Sequence, residues 1–247
     1  MPKFSVTNIP GQDRMLYKSN QSTWAAARDA SSGTTASETG DPIFVGTRKT
    51  GAGKFTVYRM FLAFDTSQIK EVPVHATLDL SISALTNSGT GFFIVKATTG
   101  ATGDSDTAFA AGDFNAIDGF SSGNTMGGNA TLYGFATIES LTAGQVRSVS
   151  LGIDARRDIA SLDEFKIALI ASKDYTNTAP SSATIVRTSI DSVDDSTAAN
   201  RPLLKLVTAK GARKTRKSKG SRGKGFSTRN VNTSSTGGTV ANGFDDI

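Results

Sequence analysis

Apolar side chains recur at every second position through much of residues 1–208. In 57–64, Tyr58, Met60, Leu62 and Phe64 share one face, with Val57 and Phe61 on the other. In 76–83 the alternation is cleaner, with Leu78, Leu80 and Ile82 inward and Thr77, Asp79 and Ser81 outward. Further strands are predicted at 43–47, 92–97, 145–153, 165–171, 183–188 and 203–207, separated by clusters of Gly, Asn, Ser and Asp. Alternation with a polar face implies antiparallel sheets packed face to face. The expected fold class is therefore all-β, an antiparallel jelly-roll β-sandwich.

Helical signals are few. Residues 154–160 allow one or two turns with Asp154 as N-cap. The stretch 100–128, rich in Gly, Asp, Ser and Ala, reads as a long surface loop with a short helical piece near 113–117. After Val207 the apolar pattern stops. The chain thus divides into a β-sandwich at 1–208 and a basic, low-complexity tail at 209–247, which buries too little apolar surface to order itself alone.

Charge sharpens that boundary. The chain carries 27 Lys or Arg and 22 Asp or Glu, a formal +5. Residues 210–229 hold nine of the bases and no acid, and Asp245 and Asp246 are the only acids beyond 209. Removing these leaves 18 bases and 20 acids in 1–209, a net of −2, whereas 210–247 carries +7. Arg213, Lys214, Arg216, Lys217, Lys219, Arg222 and Lys224 form the densest part of this run. They suit a polyanion such as nucleic acid, an acidic protein surface or anionic lipid, through sequence-blind, salt-sensitive contacts. No aromatic interleaves with them, which disfavours base stacking. A purely solubilising tail is the plainer alternative.

Candidate chemistry is sparse. There is no cysteine, which removes disulfides and thiolate chemistry, and one histidine, which removes a multi-histidine metal site. His75 falls on the polar side of a strand. Lys49-Thr-Gly-Ala-Gly-Lys54 is similar to a phosphate-binding loop, but Phe55 follows the lysine and a strand replaces the required helix; a hairpin turn is expected. Asp104, Asp106 and Asp113, like Asp191, Asp194 and Asp195, lack the spacing of a calcium loop. Asp65-Thr-Ser67 reads as a turn whose carboxylate accepts nearby N–H groups. No catalytic residue, metal ligand or cofactor is expected, and the chain is not expected to be an enzyme. MPKFSVTNIP lacks a signal-peptide core, and no apolar run approaches a membrane span. A soluble protein without a membrane partner is expected.

Two stretches bear a resemblance. Tyr58-Arg-Met-Phe-Leu-Ala-Phe-Asp-Thr-Ser-Gln-Ile69 with Val74-His-Ala-Thr-Leu-Asp-Leu80, and Asp174-Tyr-Thr-Asn-Thr-Ala-Pro180 through Ala199-Asn-Arg-Pro-Leu-Leu-Lys-Leu-Val207, resemble the core and ending of DNRLRE-type jelly-roll β-sandwich domains. Ser22-Thr-Trp-Ala-Ala-Ala-Arg28 is similar to the first strands of versions found in bacteriophage virion structural proteins. The chain departs from the family by ending its last strand Leu206-Val-Thr208 without an aromatic and by adding the basic tail. The resemblance implies a jelly roll that serves in a virion or binds carbohydrate. The expected function is a non-enzymatic virion structural protein, a head decoration or a tail-associated knob or fibre component. Its partners would be other virion proteins and copies of itself, with nucleic acid or an acidic surface meeting the tail. The alternative is an adsorption module for host polysaccharide, with Trp24 and Tyr175 as the aromatics to stack on sugar rings.

Overall fold

Strand pairs in this molecule nest inside one another. The computed structural model describes residues 3–7, 9, 12–35, 43–98 and 109–209. By contact the chain falls into two units, Met1–Ala212 and Arg213–Ile247, and the description concerns the first. Among the described residues its strands are β1 (Lys3–Thr7), β2 (Arg14–Gln21), β3 (Thr34–Thr35), β4 (Ile43–Lys49), β5 (Phe55–Asp65), β6 (His75–Thr86), β7 (Phe92–Lys96), β8 (Leu132–Ala136), β9 (Gln145–Ser150), β10 (Glu164–Ala171), β11 (Ile185–Ile190) and β12 (Leu203–Val207). The helices are α1 (Trp24–Arg28), α2 (Ile153–Ser161) and α3 (Ser172–Tyr175).

All described ladders are antiparallel. β7 pairs with β8, β6 with β9, β5 with β10, β4 with β11 and β1 with β12. This is the order of a long double hairpin wound on itself, the jelly roll that the alternation predicts. β6 carries β12 along His75–Asp79 and β11 along Ile82–Thr86 on one side, and β9 on the other. β5 is shared in the same way, by β4 and β10 on one side and β2 on the other. The β4–β11 ladder joins the two layers.

The inner core lies between the layers. Met60, Leu62 and Phe64 of β5 meet Leu78, Leu80 and Ile82 of β6, with Phe165, Ile167 and Leu169 of β10. Ala155 and Ile159, four residues apart on α2, close one end. Val57 and Phe61 face away, as predicted, into a second cluster with Leu16, Val95, Phe109, Phe114, Ile117, Met126 and Ile170. The sheet containing β5, β10 and β7 is thus buried on both faces.

Several expectations are corrected. The described part of the 100–128 stretch is a cover over the sheet, pinned by Phe109, Phe114, Ile117 and Met126 at irregular spacings that periodicity does not register; its short 3-10 turn spans Ala111–Asn115. Ser22 to Arg28 contains a helix instead of strand, because the Thr23 side chain caps the Ala26 N–H at 3.1 Å and three alanines follow Trp24. α2 is capped by Gly152, with Asp154 inside its first turn. Asp79 and Ser81 point outward yet are buried; alongside β6 the Asp191 N–H donates to the Ser81 carbonyl at 3.0 Å. Asp79 accepts from Ser148 Oγ at 2.5 Å and pairs with Lys205.

Candidate functional site

A fully buried ionic cluster lies beneath the outer layer. Arg59, on the outward face of β5, donates from Nε and Nη2 to Asp174 Oδ2 and Oδ1 at 2.7 and 2.9 Å, a bidentate pair. Two further donors reach the carbonyls of Phe114, at 2.6 Å, and Arg28, at 2.9 Å. Arg28, at the end of α1, donates to the Asp174 and Asn124 carbonyls and to the Asp29 carboxylate, at 2.9, 2.7 and 2.5 Å. The Phe114 ring lies 4.2 Å from the Arg59 guanidinium carbon, and Phe120 lies near both arginines. Arg28, Arg59 and Asp174 have no exposed surface. The three stretches that carry the sequence resemblance therefore meet here. The cluster clamps α1, α3 and the 109–131 cover onto the sheet.

An opening lies elsewhere, where the edge strands β8 and β9 of the two layers converge. At one end they touch: the Gly152 N–H donates to the Tyr133 carbonyl at 2.7 Å, and a Cβ on Gly134 would meet the Ser150 carbonyl at 2.8 Å. Beyond that point they part, leaving a cleft of about 520 Å³ lined by 132–135, Thr137, 147–150 and Gly152. Among the described residues β8 pairs in a ladder with β7 and β9 with β6. Arg147 shares the inward face of β9 with buried Val149 but sits nearer the open end, where its Nε has no hydrogen-bond partner among the described residues. Leu132, Phe135 and Val146 are exposed along the rims, Phe135 by 56%. Beneath, Tyr133 donates to Asp158, which also pairs with Lys96 at 3.0 Å. Burial, then the Asp158 bond, pushes the Tyr133 phenol far above its usual range.

The residues singled out from sequence are scattered around these features. Trp24 is half-buried, its indole N–H donating to Asn177 Oδ1 at 2.9 Å and its ring edge-on to Phe55. Tyr175 is 8% exposed and stacked on Phe93 with ring centroids 3.9 Å apart. Arg213, Lys214, Arg216, Lys217, Lys219, Arg222 and Lys224 lie outside the described residues, as do Asp104 and Asp106. Asp113 accepts the Ala110 N–H at 2.7 Å. Asp191 is buried and Asp194 exposed. Among the described residues no three acids or histidines gather around a cation position. His75 is exposed at the start of β6. Lys49 to Lys54 forms the β4–β5 hairpin, with Gly53 at φ +74°. Arg147 and Phe135 escaped sequence reasoning. The available signal was an arginine on the inward register of an alternating strand.

No protein-family model matches the chain. No curated protein matches it. Among solved structures it is similar to the cleaved adhesin domain of Lys-gingipain from Porphyromonas gingivalis, at TM-score 0.33 and 10% identity, over 85% of this chain and 100% of that one.

Proposed function

We propose that the chain is a non-enzymatic structural protein of a bacteriophage virion, a head decoration or a tail-associated knob or fibre component, anchored through its basic C-terminal segment. The observation that carries the reading is the charge split, a body of net −2 continued by a segment of +7. A slightly acidic, doubly layered jelly roll gains no polyanion affinity from its net charge, whereas the appended segment does. The resemblance supports the same reading, because its stretches supply Arg28, Arg59 and Asp174, which fasten the cover onto the outer face of one sheet. The test is incorporation into particles. Protein ending at residue 209 should remain folded by circular dichroism and be missing from purified virions. Normal incorporation would sink the anchoring role.

A second reading, adsorption to host polysaccharide, is favoured by Trp24, a partly exposed indole held by Asn177. It predicts saccharide-dependent quenching of the one tryptophan in the chain. An unchanged spectrum across host polysaccharides would reject Trp24 as the platform.

A further inference from the structure

We propose that the cleft between β8 and β9 binds a small organic carboxylate with an apolar body, held by Arg147. The inference is independent of the virion and polysaccharide readings, since it uses neither the C-terminal segment nor Trp24. Three observations carry it.

The first is the bonding of Arg147. It stands opposite Leu80 in the β9–β6 ladder, on the side of β9 that carries buried Val149. An arginine on such a register is ordinarily held by acceptors, because a guanidinium withdrawn from water without them is destabilising. Arg28 and Arg59 follow that rule. Arg156, whose Nε is also unpartnered, places Nη1 on the Pro73 and Val74 carbonyls at 3.2 and 2.6 Å. The Arg147 side chain makes no hydrogen bond or ion pair among the described residues, and its Nε is shielded from solvent. The partner that its position calls for comes from outside the chain.

The second is the chemistry of the lining. Arg147 is the one charged side chain among the described residues that line the cleft. A single guanidinium balances a single negative charge, and its fork of N–H groups matches the two oxygens of a carboxylate. A doubly charged phosphate would keep an unbalanced charge in a partly enclosed site. Ser148 already donates to Asp79 at 2.5 Å, while Leu132 and Phe135 stand exposed at the rim and Val149 is buried in the wall. Recognition beyond the carboxylate therefore falls to apolar surface.

The third is size. A cleft of about 520 Å³ lies within the usual range of ligand pockets, roughly 300–1,000 Å³. Its length is set by the strands. At Gly134, β8 comes against the carbonyl of Ser150, three residues beyond Arg147. Those three residues span roughly 10 Å at about 3.3 Å each. A ligand with its carboxylate at Arg147 thus has room for one ring and a short chain.

The experiment titrates the full, isotope-labelled chain with cinnamate, hexanoate, glucuronate, cinnamamide and inorganic phosphate. It reads the Arg147 Nε–H resonance by NMR and the affinity by calorimetry. Cinnamate and hexanoate should saturate one site and move that resonance. Cinnamamide, which lacks the charge, and phosphate, which lacks the apolar body, should bind at least about tenfold more weakly than cinnamate. Arg147→Gln should weaken cinnamate by at least the same factor while its circular dichroism stays native. Both chains carry the same basic C-terminal residues, so anion binding there cancels in the comparison. An Arg147 resonance unmoved by every carboxylate overturns the proposal, as does cinnamate affinity unchanged in Arg147→Gln. An Arg147→Gln chain that fails to fold shows the guanidinium to be structural and overturns it too. Glucuronate binding more tightly than cinnamate defeats the apolar body, and phosphate binding as tightly as cinnamate defeats the carboxylate.

Discussion

Asp174 faces two guanidiniums with no exposed surface; its loss strands the Arg59 cation away from water, while Arg28 keeps Asp29. Asp174→Ala should destabilise the fold by about 3–5 kcal/mol in chemical denaturation; a change under about 1 kcal/mol would mean that the cluster is not what holds the outer layer. Half of this arrangement was legible in the sequence. Arg59 stands between Val57 and Phe61 on an apolar register, and arginines are rarely buried without partners. Its partner lies 115 residues away on a four-residue helix, a distance that no local pattern bridges. The Asp65 turn, by contrast, was legible in full, because both partners lie within three residues. The Ser67 N–H donates to Asp65 Oδ1 at 2.9 Å, and the Ser67 hydroxyl, then this N–H, hold the Asp65 carboxyl below the usual aspartate range. A pKa depressed by folding means that the turn contributes above the unfolded value and loses its contribution as pH falls through the lowered one. In Ser67→Ala the Asp65 carboxyl should titrate closer to an ordinary aspartate by NMR. An unmoved midpoint would show that the hydroxyl is not the cause.

Among the elements, β5 and β6 were the easiest to read, since each alternates over at least eight residues with one face in the inner core. β1, β2 and β8 were not predicted. β1 buries almost nothing, β2 mixes both faces before a bulge after Lys18, and β8 is interrupted by Gly134 and a register shift beside it. Gly134 nevertheless fixes the geometry of the cleft. An alanine there would press on the Ser150 carbonyl and the Val149 side chain, at 2.8 and 3.3 Å from its Cβ. Gly134→Ala should cost about 1–3 kcal/mol. It should also speed hydrogen exchange at the Gly152 amide, whose acceptor is the Tyr133 carbonyl. Native exchange at Gly152 would show that β8 and β9 can part without penalty.

For the molecule as a whole, opposite charge signs on body and C-terminal segment give a sharp expectation. Binding of the full chain to duplex DNA should weaken steeply between 50 and 200 mM salt, and protein ending at residue 209 should not bind under the same conditions. Salt-independent binding would contradict an electrostatic segment. The body's layering followed from alternation, but the burial of one sheet on both faces did not, because that cover is made of loops. The nested pairing also orders events during synthesis. β1 waits for β12, so the outermost ladder cannot close until Val207 has left the ribosome. A nascent copy therefore has the sequence needed to complete its sandwich while it is still a net acid, and acquires its positive charge only afterwards.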